Sequence, residues 1–320
     1  MGSKSVQIAP FPSMLIGVAT LVVKTYIIPM QTKPVRQIFP PAPPHMVGDG
    51  FKVHNFFPSG HRIGYQTMSP FFLMDYGAKT MIPPSDHPRG VGAHPHRGFE
   101  TVTIAYHGKV AHHDSAGNSG IIGEGEVQWM TAGSGILHKE YHDKEFSQRG
   151  GLMQMVQLWV NLPARFKMTP PKYQGLTRKR MGKHELPAGA GYVEVIAGEY
   201  QGTKGPASTF TPIQIYNGHL KSGGDLTLSF PAHYNTGILV IEGKIKVNGK
   251  DSAPVDHFAL FENEGEEISI QAESDSIFLV LSGEPINEPI AAYGPFVMNT
   301  QTEIRQAMED LGQGKFGHLE

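Results

Sequence analysis

Short runs of strand-forming residues recur along this chain, and glycine or proline interrupts them about every ten positions. Glycine supplies 38 and proline 25 of the 320 residues. Because each of these residues ends or weakens a helix, long helices cannot dominate the chain. Regularly spaced short strands are typical of β-sandwiches and β-barrels. Hydrophobic residues make up 39% of the chain, which is enough to fill such cores. The sequence therefore predicts an all-β protein.

A proline-rich segment, residues 31–44, precedes the first strand-rich half of the chain, and a proline- and lysine-rich segment, residues 163–184, separates that half from the second. Such segments are typical of arms and linkers. The predicted organisation is an extension or arm over residues 1–45, an N-terminal domain over 46–165, a linker over 166–184, a C-terminal domain over 185–298 and a helix over 299–312.

The halves resemble each other in one local feature. Residues 107–109 (His-Gly-Lys) and 242–244 (Glu-Gly-Lys) each follow a strand-forming run, and each is predicted to close a hairpin. The chain therefore looks like two β domains of one design.

One helix is predicted, at the end of the chain. Thr300 and Glu303 have the spacing of a capping box, which favours a helix that begins there. Gly312 is expected to end it. Its apolar face is predicted to consist of Ile304, Met308 and Leu311.

The first 30 residues require a separate interpretation. The apolar run Met14–Val23 has ten residues and is too short to span a bilayer, which needs about 20. The segment is read as a loose extension with Met30 as the native start, as a secretion signal, or as an ordered extra segment. A cytoplasmic location is expected, or a periplasmic or secreted one if residues 1–30 are a signal.

Composition excludes several classes of protein. The chain has no cysteine, which rules out a disulfide scaffold and any metal site built on thiolates. Its formal charge of −2 gives no electrostatic footprint for nucleic acid or for an anionic membrane surface.

Histidine is concentrated in one part of the chain: eight of the 16 histidines lie between positions 87 and 142. His94 and His96 stand at i and i+2 beside a strand-forming run, so their imidazoles share one face of an extended chain. His138 and Glu140 repeat this spacing directly after a glycine-rich bend. Two such pairs facing each other would form a cage of three histidines and one glutamate. Nitrogen-rich ligation with one carboxylate suits transition metals rather than calcium or magnesium.

Other polar residues near this cage remain alternatives. Glu100 lies four residues beyond His96 and could share its face, so it competes with Glu140 for the fourth position. His112 and His113 are adjacent and must face opposite sides of a strand; they are expected at the surface or just outside the ligand set. His142 continues the alternation of 138 and 140 as a weak further candidate. Apolar residues that either line the pocket or belong to the core are Phe56, Phe99, Trp129 and Met155.

Four segments carry a resemblance to a known family. HPHRGFETV (94–102), QWMTAGSGILHKE (128–140), LWVNLP (158–163) and GPFVMNT (294–300) are similar to segments of the pirin family of the cupin superfamily. The similarity runs from about residue 51 to residue 311. It implies two stacked cupin domains, which are jelly-roll β-barrels, with a short C-terminal helix.

The resemblance also implies a metal site and an activity. In pirins the first barrel alone holds the metal, and the second half here has no paired histidines like His94 and His96. The implied ligands are His94, His96, His138 and Glu140, which makes Glu100 a supporting residue. Fe(II) is the expected ion, with Mn, Ni, Cu, Co or Zn as substitutes.

The implied activity is that of a quercetin 2,3-dioxygenase, which opens the ring of a flavonol with dioxygen, and Glu140 is the expected catalytic base. The alternative is an iron-dependent, redox-sensing regulatory protein that acts through protein partners. No direct contact with nucleic acid or membrane is expected.

Overall fold

The structure is a computed structural model that describes Gly2, residues 31–61 and residues 63–320. The interpretations of the apolar run Met14–Val23 and of the extension around it lie outside the described residues. No helix in the described part of the chain is long and apolar enough to cross a membrane.

The described chain is built mainly of short strands, as its turn spacing predicts. In the first half they are β1 (Val35–Phe39), β2 (His45–Val47), β3 (Phe51–Phe57), β4 (Phe71–Ile82), β5 (Gly90–His96), β6 (Phe99–His107), β7 (Val110–Asp114), β8 (Ser119–Ile122), β9 (Glu126–Thr131), β10 (Ile136–His142) and β11 (Gly151–Asn161). The helix α1 (Lys144–Arg149) precedes β11.

The second half repeats this style. Its strands are β12 (Lys172–Leu176), β13 (Gly182–Glu185), β14 (Gly191–Ala197), β15 (Glu199–Tyr200), β16 (Thr203–Lys204), β17 (Ile213–Leu220), β18 (Asp225–Ser229), β19 (Asn235–Glu242), β20 (Lys244–Val247), β21 (Asp251–Pro254), β22 (Phe258–Phe261), β23 (Glu267–Ala272), β24 (Ser276–Gly283), β25 (Ala291–Tyr293) and β26 (Phe296–Met298). The helix α2 (Gln301–Gly312) follows β26, and three short 3₁₀ turns cover Ala164–Phe166, Arg178–Arg180 and Pro187–Gly189.

Each half pairs a large sheet with a small one. The sheets of the first barrel are a seven-stranded one, β12-β9-β6-β11-β4-β3-β2, to which the second half of the chain contributes β12, and the facing four-stranded sheet β5-β10-β7-β8. In the second half the seven-stranded sheet is β1-β22-β19-β24-β17-β14-β13, and the four-stranded sheet is β18-β23-β20-β21. The pairings within these sheets are antiparallel, as expected for barrels of the cupin type. The predicted all-β fold of two cupin domains is confirmed.

The two seven-stranded sheets share one apolar core. Alternate residues of β6 and β11 in the first half, such as Val102 and Leu158, pack in the same cluster as Leu239 and Leu279 of the second half. Trp129 is fully buried in this cluster. Because one face of each large sheet is committed to this core, the opposite face is left for the interior of each barrel.

The interiors of the two barrels differ in chemistry. The second barrel encloses an apolar cluster that includes Val195, Leu228 and Phe278. The first barrel carries buried polar side chains at inward positions, among them Thr103, Gln128 and His138. The first barrel is therefore the half with a polar interior.

The segments expected as arm and linker contain strands. In the arm, β1 pairs with β22 and so joins the large sheet of the second half. In the segment 166–184, β12 pairs with β9 of the first half, and β13 pairs with β14 of the second. Proline in these segments falls between the strands, where no ladder hydrogen bond is needed.

The two glycine turns form as predicted, but the hairpins do not. Gly108 and Gly243 both have positive φ angles, of 86° and 77°. The strand that precedes each turn lies in the large sheet, and the strand that follows lies in the small one. The prediction of hairpins is therefore wrong, because each turn carries the chain from one sheet to the facing sheet. The same crossover in both halves supports the view of one design used twice.

Helix α2 begins where the sequence predicts. The Thr300 hydroxyl accepts a hydrogen bond from the backbone N–H of Glu303, and the Glu303 carboxylate accepts one from the N–H of Thr300. Its buried face differs from the predicted one. Met308 is 48% exposed, and the buried residues are Ile304, Ala307 and Asp310. Helix α1, which Asp143 caps, was not predicted.

Candidate metal centre

Three imidazoles meet inside the first barrel. The ring centroids of His94, His96 and His138 lie 4.3–4.8 Å apart in all three pairs. One nitrogen of each ring lies within 4.8 Å of one nitrogen of the others. His138 and His96 are buried, and His94 is half-buried at the rim. The grouping has the size and the donor type of a site for one transition metal ion.

Strand pairing explains how these residues come together. β10 lies between β5 and β7 in the small sheet. His138 on β10 is directly opposite His94 on β5, and Glu140 is opposite His112 on β7. Residues opposite each other in a ladder point to the same side of the sheet. The spacing of two residues within each strand then places the pairs on the inward face, as the sequence predicts.

His138 is the deepest of the three histidines. Its side chain is fully buried, and among the described residues neither of its ring nitrogens has a hydrogen-bond partner. Burial and the neighbouring His96 and His94 hold the pKa of His138 well below its usual range. The ring is therefore neutral and offers a lone pair. A buried polar group without a partner destabilises the fold, and a metal ion would give one of these two nitrogens a partner.

His94 and His96 are each oriented through Nδ1. His94 Nδ1 lies 2.8 Å from the carbonyl oxygen of Gly92, and His96 Nδ1 lies 3.4 Å from that of Pro295. Each Nδ1 donates its hydrogen to a carbonyl oxygen, which leaves Nε2 with the lone pair. Burial lowers the pKa of His96, with the nearby His94 as a second cause. Metal-bound histidines in proteins are commonly held in this way. The residues present thus fit a bound metal ion.

Glu140 is fixed by a row of side chains from the facing sheet. Its Oε1 accepts hydrogen bonds from the Thr103 hydroxyl, at 3.0 Å, and from the Gln128 amide. Its Oε2 accepts one from the Gln157 amide at 2.8 Å. Thr103 is opposite both Gln128 and Gln157 in the ladder, so the three donors form one line across β9, β6 and β11. The row fixes the carboxylate with one oxygen atom within 4.8 Å of the nearest nitrogens of His138 and His112.

Glu100 lies on the other face of β6. Thr103 points to the small sheet, whereas Val102 packs in the shared core between the barrels. Glu100 and Val102 are two residues apart on the strand, so their side chains point to the same face. The Glu100 Oε1 accepts a hydrogen bond from the Thr131 hydroxyl at 2.7 Å. It belongs to neither group of possible metal ligands within the described chain. Between the two glutamates that sequence spacing left open, the geometry favours Glu140.

His112 is buried beside the cage, not at the surface. It is 1% exposed, while the adjacent His113 is half-buried on the other side of β7. Its ring stacks on Tyr173 with centroids 4.9 Å apart, and its Nε2 lies 3.2 Å from Asp114 Oδ2. It forms a second group of possible ligands with His138 and Glu140. The alternative of a surface position is wrong for His112, and its place just outside the ligand set stays a prediction, because these three residues could themselves hold an ion.

Of the apolar residues considered for the pocket, only Phe99 contacts a candidate ligand. Its ring centroid is 4.9 Å from that of His96, and the Trp159 ring, which stacks on Phe99, is 5.1 Å from the same imidazole. Phe56 and Trp129 lie in the core between the barrels. Met155 packs deeper in the first barrel, next to Phe51. Trp159 lies on β11, two residues after Gln157. It is not among the residues singled out from the sequence.

The row of donors around Glu140 was also missed, although a signal exists. Thr103, Gln128 and Gln157 each interrupt a run of apolar strand residues. A polar residue at an inward position of a buried strand needs a partner, and three such positions indicate a polar layer. The sequence alone does not show that the three strands are neighbours.

Removing one donor from this row gives the first testable prediction. Thr103→Val keeps the side-chain shape but deletes the hydroxyl that holds Glu140 Oε1. Outer partners of a ligand commonly contribute about tenfold to metal affinity, so we expect Co²⁺ to bind several-fold more weakly in a chelator competition. The control is Thr236→Val, the same change at a buried strand threonine of the second barrel. Equal Co²⁺ affinities for the two variants would contradict the role of the row.

Two family sequence models match the chain. The family described as Pirin matches residues 50–160, and the one described as Pirin C-terminal cupin domain matches residues 215–317. The first match contains the whole histidine cage, and the second contains helix α2.

Individual relatives agree with this. A Pseudomonas aeruginosa protein provisionally named quercetin 2,3-dioxygenase is 48% identical over 284 residues, which are 89% of this chain and 98% of that protein. A tomato (Solanum lycopersicum) protein named pirin-like protein is 38% identical over 79% of this chain and 83% of its own length. The crystal structure of a quercetin 2,3-dioxygenase from Acinetobacter baumannii superposes with a TM-score of 0.85 at 49% identity, and covers 90% of this chain and all of that one.

Proposed function

The chain belongs to the pirin family, and from that premise we propose that it is a metal-dependent dioxygenase that opens the heterocyclic ring of flavonols such as quercetin. The similarity to proteins named quercetin 2,3-dioxygenase supports the substrate class. The single structural observation that carries the proposal is the pair of possible metal-ligand groups in the first barrel that share His138, one with His94 and His96 and the other with His112 and Glu140.

We assign the metal to His94, His96, His138 and Glu140. Three imidazole nitrogens and one carboxylate suit Fe(II), and Mn, Ni, Cu, Co and Zn are substitutes that accept the same donors. When bound, the metal supplies the positions for the flavonol hydroxyl and dioxygen and the redox chemistry between them. The protein must then orient the flavonol, exclude water and move one proton.

We assign Glu140 as the base that removes the proton of the flavonol 3-hydroxyl. Its Oε1 accepts two hydrogen bonds, whereas its Oε2 accepts one, from Gln157. Oε2 therefore has one lone pair left, which would serve in turn as metal ligand and as acceptor of the proton of the flavonol 3-hydroxyl. A base must lie within hydrogen-bond reach of the proton that it removes, and a base held on both sides keeps that position.

The surroundings of the cage keep neutral hydrogen-bond donors close to it. Burial raises the pKa of Tyr173 to about 12, with the charges of Glu140 and Asp114 as further causes. The Tyr173 hydroxyl therefore stays protonated at neutral pH. Its ring covers His112, and Phe99 and Trp159 cover His96. Phe99 is fully buried, whereas Trp159 and Tyr173 are half-buried, so the exposed parts of these two rings offer apolar surface for a planar substrate.

The proposal predicts turnover of quercetin by the protein loaded with Fe²⁺. Aerobic incubation should consume the flavonol absorbance and release carbon monoxide, faster than the same amount of Fe²⁺ in buffer. The control is His138→Ala protein given equal Fe²⁺, which should not exceed the free ion.

A rate equal to that of free Fe²⁺ for the wild-type protein would overturn the proposed activity. If the same sample still held one metal ion, the regulatory alternative, a redox-sensing protein that acts through protein partners, would take its place. Metal analysis of the assayed sample therefore separates the two outcomes.

A further inference from the structure

The two segments that carry the histidines are joined to each other through one arginine. Arg97 directly follows His96, and its side chain is 4% exposed. Its Nε donates to the carbonyl oxygen of Ser134, at 2.7 Å, in the glycine-rich bend that leads to His138. Its Nη1 donates to Asp310 Oδ2 at 2.8 Å in helix α2. One planar guanidinium, carried by the first ligand segment, thus contacts both the second ligand segment and the C-terminal helix.

The C-terminal residues cover this contact from outside. The Phe316 ring lies 4.7 Å from the Arg97 guanidinium carbon. It also fills the space that a side chain at Gly135 would occupy, since a Cβ there would lie 2.6 Å from the ring. The Phe316 carbonyl oxygen accepts a hydrogen bond from the Ser115 hydroxyl, and the same hydroxyl accepts one from the N–H of Leu137, the residue before His138. The chain end therefore packs against both ligand segments.

The backbone next to His96 is held by the strand before helix α2. The N–H of Val297 donates to the Arg97 carbonyl oxygen at 3.1 Å, and Pro295 supplies the oxygen that faces His96 Nδ1. Lys167 Nζ donates to the carbonyl oxygens of Gly98, at 2.9 Å, and Val297, at 2.7 Å. A side chain at Gly98 would lie 2.1 Å from the Val297 oxygen, so the approach of the two strands is close.

From these contacts we infer that Arg97 and Asp310 are positioning residues for the metal centre, and that residues 295–316 of the second half complete the site in the first barrel. The inference rests on the proposed metal ligands but not on the flavonol activity. Arg97 touches no metal itself. It acts by fixing the separation of the His94–His96 segment from the segment that presents His138 and Glu140.

The chemistry of the pair explains why both residues are needed. A buried arginine without an anion would carry an uncompensated charge, so Asp310 keeps the guanidinium in place. Lys315 Nζ and Gln306 Nε2 donate to the other Asp310 oxygen at 2.7 and 3.0 Å. A lysine at position 97 would keep the charge, but its point-like ammonium cannot donate in the two fixed directions that Ser134 and Asp310 require.

The test is Co²⁺ binding to the full chain carrying Arg97→Lys or Asp310→Asn. The control is Glu309→Gln, an exposed neighbour of Asp310 on the same helix. We expect Co²⁺ affinity, measured by chelator competition, to fall about tenfold in both variants and to stay unchanged in the control. The visible absorption of the bound Co²⁺, which reports ligand geometry, should also change in both variants.

A separate readout distinguishes positioning from simple stabilisation. The melting temperature of each variant is measured without metal and with saturating Co²⁺, and the rise caused by the metal should be smaller in the variants than in the control. If both variants melt earlier but bind Co²⁺ with wild-type affinity and spectrum, the inference is overturned and the pair only supports the fold. If Arg97→Lys does not fold, Asp310→Asn decides by the same measurements. Failure of the wild-type protein to bind Co²⁺ would overturn the metal centre itself, and loss of flavonol turnover alone would leave this inference standing.

Discussion

Glu140→Gln protein should retain little of its metal, whereas Glu100→Gln protein should retain nearly all of it. Glu140, on β10 of the small sheet, lies in the barrel interior with His138, and Glu100, on β6 of the large sheet, lies on the face of that sheet turned away from this interior. Glutamine fits at position 140 without disturbing the row of donors. Its amide oxygen can accept from Thr103 and Gln128, and Gln157 can turn its own amide to face the new NH₂ group. Metal loss would then report the missing ligand charge.

The measurement is elemental analysis of each protein after equal loading and desalting, with chelator competition for the remaining affinity. We expect the affinity of Glu140→Gln to fall more than 100-fold, on the order of 3 kcal/mol or more, because a primary ligand is lost. His96→Ala should behave like Glu140→Gln. An empty site in Glu100→Gln together with a filled one in Glu140→Gln would reverse the assignment.

Glu100 is expected to change how the free energy of unfolding depends on pH. Burial raises its pKa from 4.5 to about 7, and the Thr131 hydroxyl opposes this only in part. The folded protein therefore binds this proton more tightly than the unfolded chain does. The stabilisation of the fold that comes from this proton is fully present below about pH 4.5 and is lost as the pH rises through 7. Over that range the group costs about 3 kcal/mol of unfolding free energy.

Glu100→Gln should remove this loss. In metal-free protein, the unfolding free energy of the wild type relative to the variant should fall as the pH rises from 5 to 8, so that the variant is the more stable protein at pH 8. Urea denaturation at several pH values measures the difference. Glu264→Gln, at an exposed position, is the control and should follow the wild type. Parallel curves for wild type and Glu100→Gln would show that folding does not raise the pKa of Glu100.

Local patterns in the sequence were sufficient for the fold class and for part of the candidate site. The i, i+2 spacing of His94 and His96 places their rings on one face because extended strands alternate, and this depends on nothing distant. The capping box of α2 is similarly local. The buried face of α2 was misjudged because Asp310 is buried through its contact with Arg97, and no helical pattern in the sequence contains that partner.

What could not be predicted depends on strand register. Thr103, Gln128 and Gln157 form one row only because β6 lies between β9 and β11. The two glycine turns were read as hairpins because a tight turn has the same sequence signal whether the next strand pairs with the last or crosses to another sheet. Arg97 and Asp310 are 213 residues apart, beyond any pattern of spacing.

Each end of the described chain is held by the opposite half. Strand β1, which precedes the first barrel, extends the large sheet of the second, and the residues after β26 pack on the ligand segments of the first. A cut within residues 166–184 would therefore yield two fragments that each keep a piece belonging to the other. Neither fragment would be a complete folding unit, and reassembly from separate fragments would have to proceed by exchange of these ends.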